Sequence, residues 1–318
     1  VLQLTGYIIR RLLQAVVVIL GVTMIAFGME HLLPNGIARA ILGPRATQVA
    51  INVFNKQNGF DSPIWYQYWV FLDHLVVHGN LGFSYKLNRS VDSIIASDLP
   101  RDVMLVGTSL VLAVLIAVPM GVLQAVKRNQ AWDYAGTATS FVLYSMPSYA
   151  LGLILISLFS IEIKFFPSEA PQESTVWGML GHPVGIILPV ITLTLVTYAL
   201  FSRYMRSSAI DSLAQDYIKT ARAKGLSERT VLWRHLLRNS LVPVTTLVGI
   251  SLPAVLTAGL VLEYLFNFQG LGLEYFTAAT NDDFPVMLGI TVLVGTATVV
   301  GNLLADITYA VLDPRVRY

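Results

Sequence analysis

Asp73, His74 and His78 place two imidazoles four residues apart, a spacing that lets one helical face offer two nitrogens to zinc or nickel. No second His pair lies nearby, so a solvated helix that happens to carry both is the expected reading. The absence of cysteine removes disulfides, thiolate metal sites and cysteine nucleophiles. No Ser/His/Asp set or Glu pair is spaced for catalysis, and no Gly-x-x-x-x-Gly-Lys-[Ser/Thr] stretch could cradle a nucleotide phosphate. What remains is a chemistry of docking. In Thr220-Ala221-Arg222-Ala223-Lys224-Gly225 small side chains would let the backbone approach a partner surface, while Arg222, Lys224 and the nearby Arg229 could reach acidic groups on it. Asp216 and Tyr217 support the helix that leads into this segment.

The elements that must hold this segment are set by composition. Of 318 residues, 55% are hydrophobic and 13% charged, against about 25% charged in soluble domains. Six stretches contain no Asp, Glu, Lys or Arg: 12–29, 103–126, 134–161, 183–202, 239–262 and 284–305. About 20 apolar residues of helix cross a hydrocarbon core, so each is a spanning candidate. They are too long and too uniformly apolar for barrel strands. The fold class is therefore an all-α polytopic membrane protein with six transmembrane helices, near 10–30, 103–126, 134–161, 183–204, 239–262 and 284–308. The start, with Arg10 and Arg11 ahead of an apolar run, has the look of a signal peptide, but 28–33 offers no small-x-small site and cleavage is not expected.

Lys and Arg in short connections give the sidedness. With the first residues inside, fourteen of the 21 basic residues fall on inner segments, while the short outer connections 162–182 and 263–283 hold only Lys164. Both termini are then cytoplasmic. Residues 31–101 form an external segment, a small subdomain packed on the membrane face, in which Trp65, Tyr66, Tyr68 and Trp69 suit a helix at headgroup level. Residues 203–238 form a cytoplasmic loop with eight basic and three acidic residues. It reads as a helix over 211–224, a turn at Gly225, and a second helix from Glu228 capped by Ser227. A hairpin drawn to anionic headgroups is the alternative to a docking element.

Inside the spans, Pro119, Pro147, Pro189 and Pro253 each remove an intrahelical hydrogen bond, for gating or for static bends. Tyr144, Ser145, Ser148 and Tyr149 flank Pro147 in the most polar mid-span stretch, which suits either a wet substrate pathway or interhelical hydrogen bonding. Glu263 and Asp306 lie at span ends, where interfacial solvation accounts for them unless they face the bundle interior. Asn88-Arg89-Ser90 matches a glycosylation acceptor, a pattern too short to carry weight.

Asp216-Tyr-Ile-Lys-Thr-Ala-Arg-Ala-Lys-Gly225-Leu-Ser, with Arg238-Asn-Ser-Leu-Val-Pro243, resembles the coupling-loop signature of permease subunits in binding-protein-dependent ABC importers. The stretches Asn239 to Pro243, Phe266 to Gly272 and Asp313-Pro-Arg-Val-Arg-Tyr318 are similar to the peptide and nickel branch, and the long outer segment to its B-type dipeptide and oligopeptide permeases. Lys219 stands where the general signature opens on an acidic residue, and its proline arrives late, at Pro243, as in the peptide branch's own version. The resemblance covers essentially the whole chain. It implies the type I ABC importer permease fold and a bacterial inner-membrane location. It also implies a heterodimer with a second permease, ATPase subunits that bind ATP and Mg, and an external substrate-binding protein. No cofactor is implied for this chain. Short peptides are the implied cargo, with nickel or haem as the runner-up. A secondary transporter or channel is the rival class.

Overall fold

In the computed structural model, residues 2–31, 36–43 and 45–312 are described. The chain is helical almost throughout. Helix α1 (Leu2–His31) leads into a segment holding α2 (Gly36–Leu42), α3 (Gln48–Asn58), α4 (Ile64–His78) and the antiparallel strands β1 (Phe83–Ser84) and β2 (Arg89–Ser90). Then come α5 (Val91–Val126), α6 (Ala131–Ser145), α7 (Ser148–Ile156), α8 (Val176–Gly181) and α9 (Pro183–Leu213). The last part holds α10 (Asp216–Ala223), α11 (Glu228–Thr230), α12 (Leu237–Leu265), α13 (Leu271–Thr280) and α14 (Phe284–Leu312).

Among the described residues, α1, α5, α9 and α14 are long and apolar enough to cross a membrane, and α6 with the helical stretch Ser148–Glu162 passes the same test as one bent pair, a broken span or a re-entrant loop. The sixth charge-free stretch, 239–262, lies inside the 29-residue α12. The break between α6 and α7 has a local cause. Proline disfavours helical backbone in the residue before it, and Met146 is extended at φ −87°, ψ 133°, so the chain turns by 105° at Pro147. Pro119 and Pro189 sit inside α5 and α9 without interrupting either. The Pro253 and Asp306 side chains and the terminal 313–318 motif lie outside the described residues.

Helix α9 is the centre of the bundle: 61% of its apolar window is buried, against 11% for α1 at the periphery. In lipid, helices associate through close packing and interhelical hydrogen bonds, which favours small residues at contacts. Ala113 and Ala117 of α5 admit Tyr198 and Phe201 of α9. Gly121 lies so close to α9 that a Cβ there would stand 2.7 Å from the Cβ of Met205. Gln124 donates to Ser202 at 3.1 Å, and Ser109 donates to the Val190 carbonyl.

The segment between α1 and α5 packs on one end of the bundle. Tyr68 of α4 meets Thr23 at 2.9 Å, its ring lies beside Phe27, and Gln67 meets the His31 ring at 3.0 Å. Tyr68 is thus turned towards α1, while Trp65, Tyr66 and Trp69 stay exposed. His74 and His78 are exposed on α4 with ring centroids 5.9 Å apart. At the same end the buried Asp283 accepts from Ser84.

Glu263 is buried rather than solvated. It accepts the Gly272 N–H at 2.6 Å, and Asp102 of α5 accepts the Leu271 N–H at 3.1 Å. Gly270, at the N-cap of α13, has no side chain to cap the helix, so two carboxylates from neighbouring helices satisfy its free N–H groups.

Candidate functional site

The opposite end of the bundle carries the basic hairpin. Helix α9 runs on to Leu213, well past its charge-free stretch, and the hairpin's first helix starts only at Asp216. Gly225 makes the turn at φ +76°, a left-handed conformation that glycine adopts without steric cost. Ser227 caps α11, its side chain accepting from the Thr230 N–H. A π-helical turn over Val231–Leu236 then leads into α12. It sets the fully buried Val231 and Leu236, five residues apart, towards the hairpin's core.

The hairpin has two faces. Ile218 and Ala221 of α10 are buried with Val231 and Leu236, and Val122 of α5, Leu213, Tyr217 and Leu232 pack around them. The Tyr217 hydroxyl is buried without a hydrogen-bond partner among the described residues. Thr220, Arg222, Ala223, Lys224 and Gly225 are exposed, as is Asp216 at the head of the helix. Ala221, expected at the contact surface, therefore anchors the helix to the bundle instead.

Arg222 grips Glu228 with two hydrogen bonds across the turn, at 3.2 and 2.6 Å, so this cation is already engaged within the hairpin. Hydrogen bonding from Arg222 holds the Glu228 carboxyl below its ordinary range, and Glu228 raises Arg222 in turn. Lys219 meets Asp216 at 2.9 Å and lowers that carboxyl likewise. Lys224 and Arg229 are exposed and have no ion pair among the described residues.

The four residues read as a pathway gather at the α6–α7 break. Tyr144, Ser145 and Tyr149 are exposed, and Ser148 is half-buried. Ser145 donates back to the Phe141 carbonyl at 2.9 Å, within its own helix. The Arg203 guanidinium lies over the Tyr144 ring at 4.8 Å. Among the described residues, no three His, Cys, Asp or Glu side chains are grouped to hold a metal.

Two features at this end escaped the sequence reading. Asp133, at the start of α6, is bound by Arg206 of α9, and Glu228 staples the hairpin turn. Asp133 and Arg203 border charge-free stretches, which is where a charge meant for a neighbouring helix would sit, but the partner cannot be read from spacing.

Residues 117–318 match the family described as the binding-protein-dependent transport system inner membrane component, and residues 4–106 match its N-terminal region. The chain belongs to that family. It is 36% identical over 320 residues to the oligopeptide transport system permease protein AppB of Bacillus subtilis (strain 168), covering 99% of this chain and 100% of that one. The glutathione transport system permease protein GsiC of Salmonella choleraesuis (strain SC-B67) is 34% identical over 98% of this chain and 99% of its own. The fold is shared with a chain of the MetNI methionine ABC transporter solved in inward-facing conformations, at TM-score 0.54 and 17% identity, over 69% of this chain and 96% of that one. This inner-membrane component is thus a multi-pass permease subunit of an ABC importer, a family that works with an ATPase and a substrate-binding protein. The hairpin is two-faced: one side packs on α5 and α9, and the other is open and polar.

Proposed function

We propose that this chain carries short peptides across the cytoplasmic membrane as one half of a permease heterodimer. ATP and Mg are bound by partner ATPase subunits, and this chain has no ATPase site or cofactor of its own. The hairpin and both termini face the cytoplasm, and the segment between α1 and α5 faces outward. Residues 203–238 act as the coupling loop, with Thr220, Arg222, Ala223, Lys224 and Gly225 meeting the ATPase. Asp216, Tyr217 and Ala221 keep α10 in place. ATP binding closes the ATPase pair, draws the two coupling loops together and swings the spans between inward-open and outward-open states. Peptide would pass along the heterodimer contact, beside Tyr144, Ser145, Ser148 and Tyr149.

The observation that carries this reading is the anchored face of α10, where Ile218 and Ala221 share a core with Val122 of α5, so that a push on the exposed face reaches a spanning helix directly. Cargo is supported by the relatives, whose names specify oligopeptide, peptide and glutathione transport. The test is reconstitution of this chain with its second permease and ATPases in proteoliposomes, with the binding protein outside. We expect uptake of a labelled tripeptide that requires ATP inside. Uptake driven by an ion gradient with this chain alone would refute it, and ATP-driven uptake of nickel or haem in place of peptide would overturn the cargo assignment.

A further inference from the structure

An apolar cleft of about 500 Å³ opens beside the hairpin, between Val114, Val118 and Val122 of α5 and Leu232, Trp233 and Leu237 around the start of α12. Among the described residues, all eleven that line it are apolar. The residues that adjoin its walls in sequence are basic. Lys127 and Arg128 follow directly on Val126, which lines the cleft, and Arg234 and Arg238 adjoin Trp233 and Leu237. Arg128, Arg234 and Arg238 are exposed and have no hydrogen bond or ion pair among the described residues. No Asp or Glu occurs between 103 and 132 or between 229 and 262, so the chain supplies no local counter-charge from either wall. Trp233 is two-thirds exposed at the mouth, where an indole suits the boundary between hydrocarbon and headgroups.

From an oily slot whose two walls both run on into exposed arginines, we propose that the cleft holds an anionic phospholipid, one acyl chain between α5 and α12 and the phosphate among Arg128, Arg234 and Arg238. Basic residues near an anionic membrane surface attract acidic headgroups, and the apolar walls add the burial of the acyl chain. The site bears on coupling because Val122 and Leu232 belong both to the cleft wall and to the core that seats α10. A lipid in the slot therefore braces the hairpin from behind, and its departure leaves two of the hairpin's supporting side chains facing an empty groove.

The experiment uses the assembled transporter in phosphatidylcholine nanodiscs doped with a phosphatidylglycerol bearing an acyl-chain diazirine, or with the matching phosphatidylcholine probe. It is read without ATP or cargo, so the outcome is independent of what is transported. After illumination we expect peptides covering 114–126 and 232–241 to carry several-fold more phosphatidylglycerol than phosphatidylcholine. The double variant Arg234→Gln/Arg238→Gln should remove that preference, and Val118→Phe, which fills the slot, should lower labelling by both probes. Equal labelling by the two probes in the wild type would overturn the proposal. So would crosslinks from a photoreactive group at Leu123 to the second permease in place of lipid.

Discussion

Arg206 of α9 holds Asp133 of α6 through two parallel hydrogen bonds, Nε to Oδ1 at 2.5 Å and Nη2 to Oδ2 at 2.8 Å. The Asp133 side chain is 3% exposed and that of Arg206 is 28% exposed, so the pair is largely withdrawn from water. Asp133 also accepts the Asn129 N–H at 2.9 Å, tying the turn after α5 to the same point. Removing one partner of such a pair leaves a buried charge uncompensated, at a cost of about 3 to 5 kcal/mol. We expect Asp133→Asn or Arg206→Met to lower thermal stability in detergent markedly. The double variant should recover part of the loss, and a double-mutant cycle measures the coupling. Additive losses would show that the pair contributes nothing.

Gly225 stands at φ +76° with open space where a Cβ would project. A side chain there meets strain of about 1 to 2 kcal/mol but no clash, so the fold should survive. We expect Gly225→Asp to reach the membrane at normal levels and to cut peptide uptake about tenfold, the equivalent of 1.4 kcal/mol in a binding or rate constant. Normal uptake by the variant would remove Gly225 from the docking surface.

The Arg222–Glu228 staple is half exposed, so its loss should barely move global stability. Its effect is local. Glu228→Gln should speed hydrogen exchange at the amides of 222–230 while leaving those of α9 unchanged. The same loosening should appear in the wild type on acidification. Glu228 has a depressed folded-state pKa, so its contribution is present above the ordinary carboxyl value and disappears as pH falls through the folded value. Exchange that stays slow in the variant would mean that Gly225 and Ser227 hold the turn unaided.

Glu274 of α13 has the opposite sign. Burial raises its carboxyl pKa, helped by the nearby Asp98 and Asp283 and opposed by Arg89. The folded state then holds a proton more tightly than the unfolded one, so stability falls as pH rises from the ordinary glutamate value through the folded one. We expect Glu274→Gln to raise the melting temperature at neutral pH and to have little effect at low pH, checked by thermal melts across that range. A lower melting temperature at neutral pH would show that the carboxylate is favourably held.

Much of this architecture can be read from charge alone, because a hydrocarbon solvent excludes Asp, Glu, Lys and Arg over whole helices. The stretches 103–126 and 183–202 are visible for that reason. The true start of α5 and the true end of α9 are not, since there each helix runs past the apolar region into a segment where polar residues are equally at home. The hairpin declares itself through Gly225 and Ser227, whose backbone roles follow from residue type. The inward turn of Ala221 does not, because it depends on which side of an eight-residue helix meets Val231 and Leu236. Glu263 is the clearest miss. Its burial is explained by the unfilled N–H groups of α13, a demand created by a helix that begins on Gly270 rather than on a capping side chain.

Helix α5 is one unbroken piece of 36 residues. Near one tip it touches the hairpin's core through Val122, and twenty residues earlier Asp102 secures the first turn of α13. That separation is about 30 Å, the depth of the hydrocarbon layer. One continuous helix of this length, with Pro119 inside it, therefore joins the hairpin's core to the first turn of α13 across the full thickness of the bilayer.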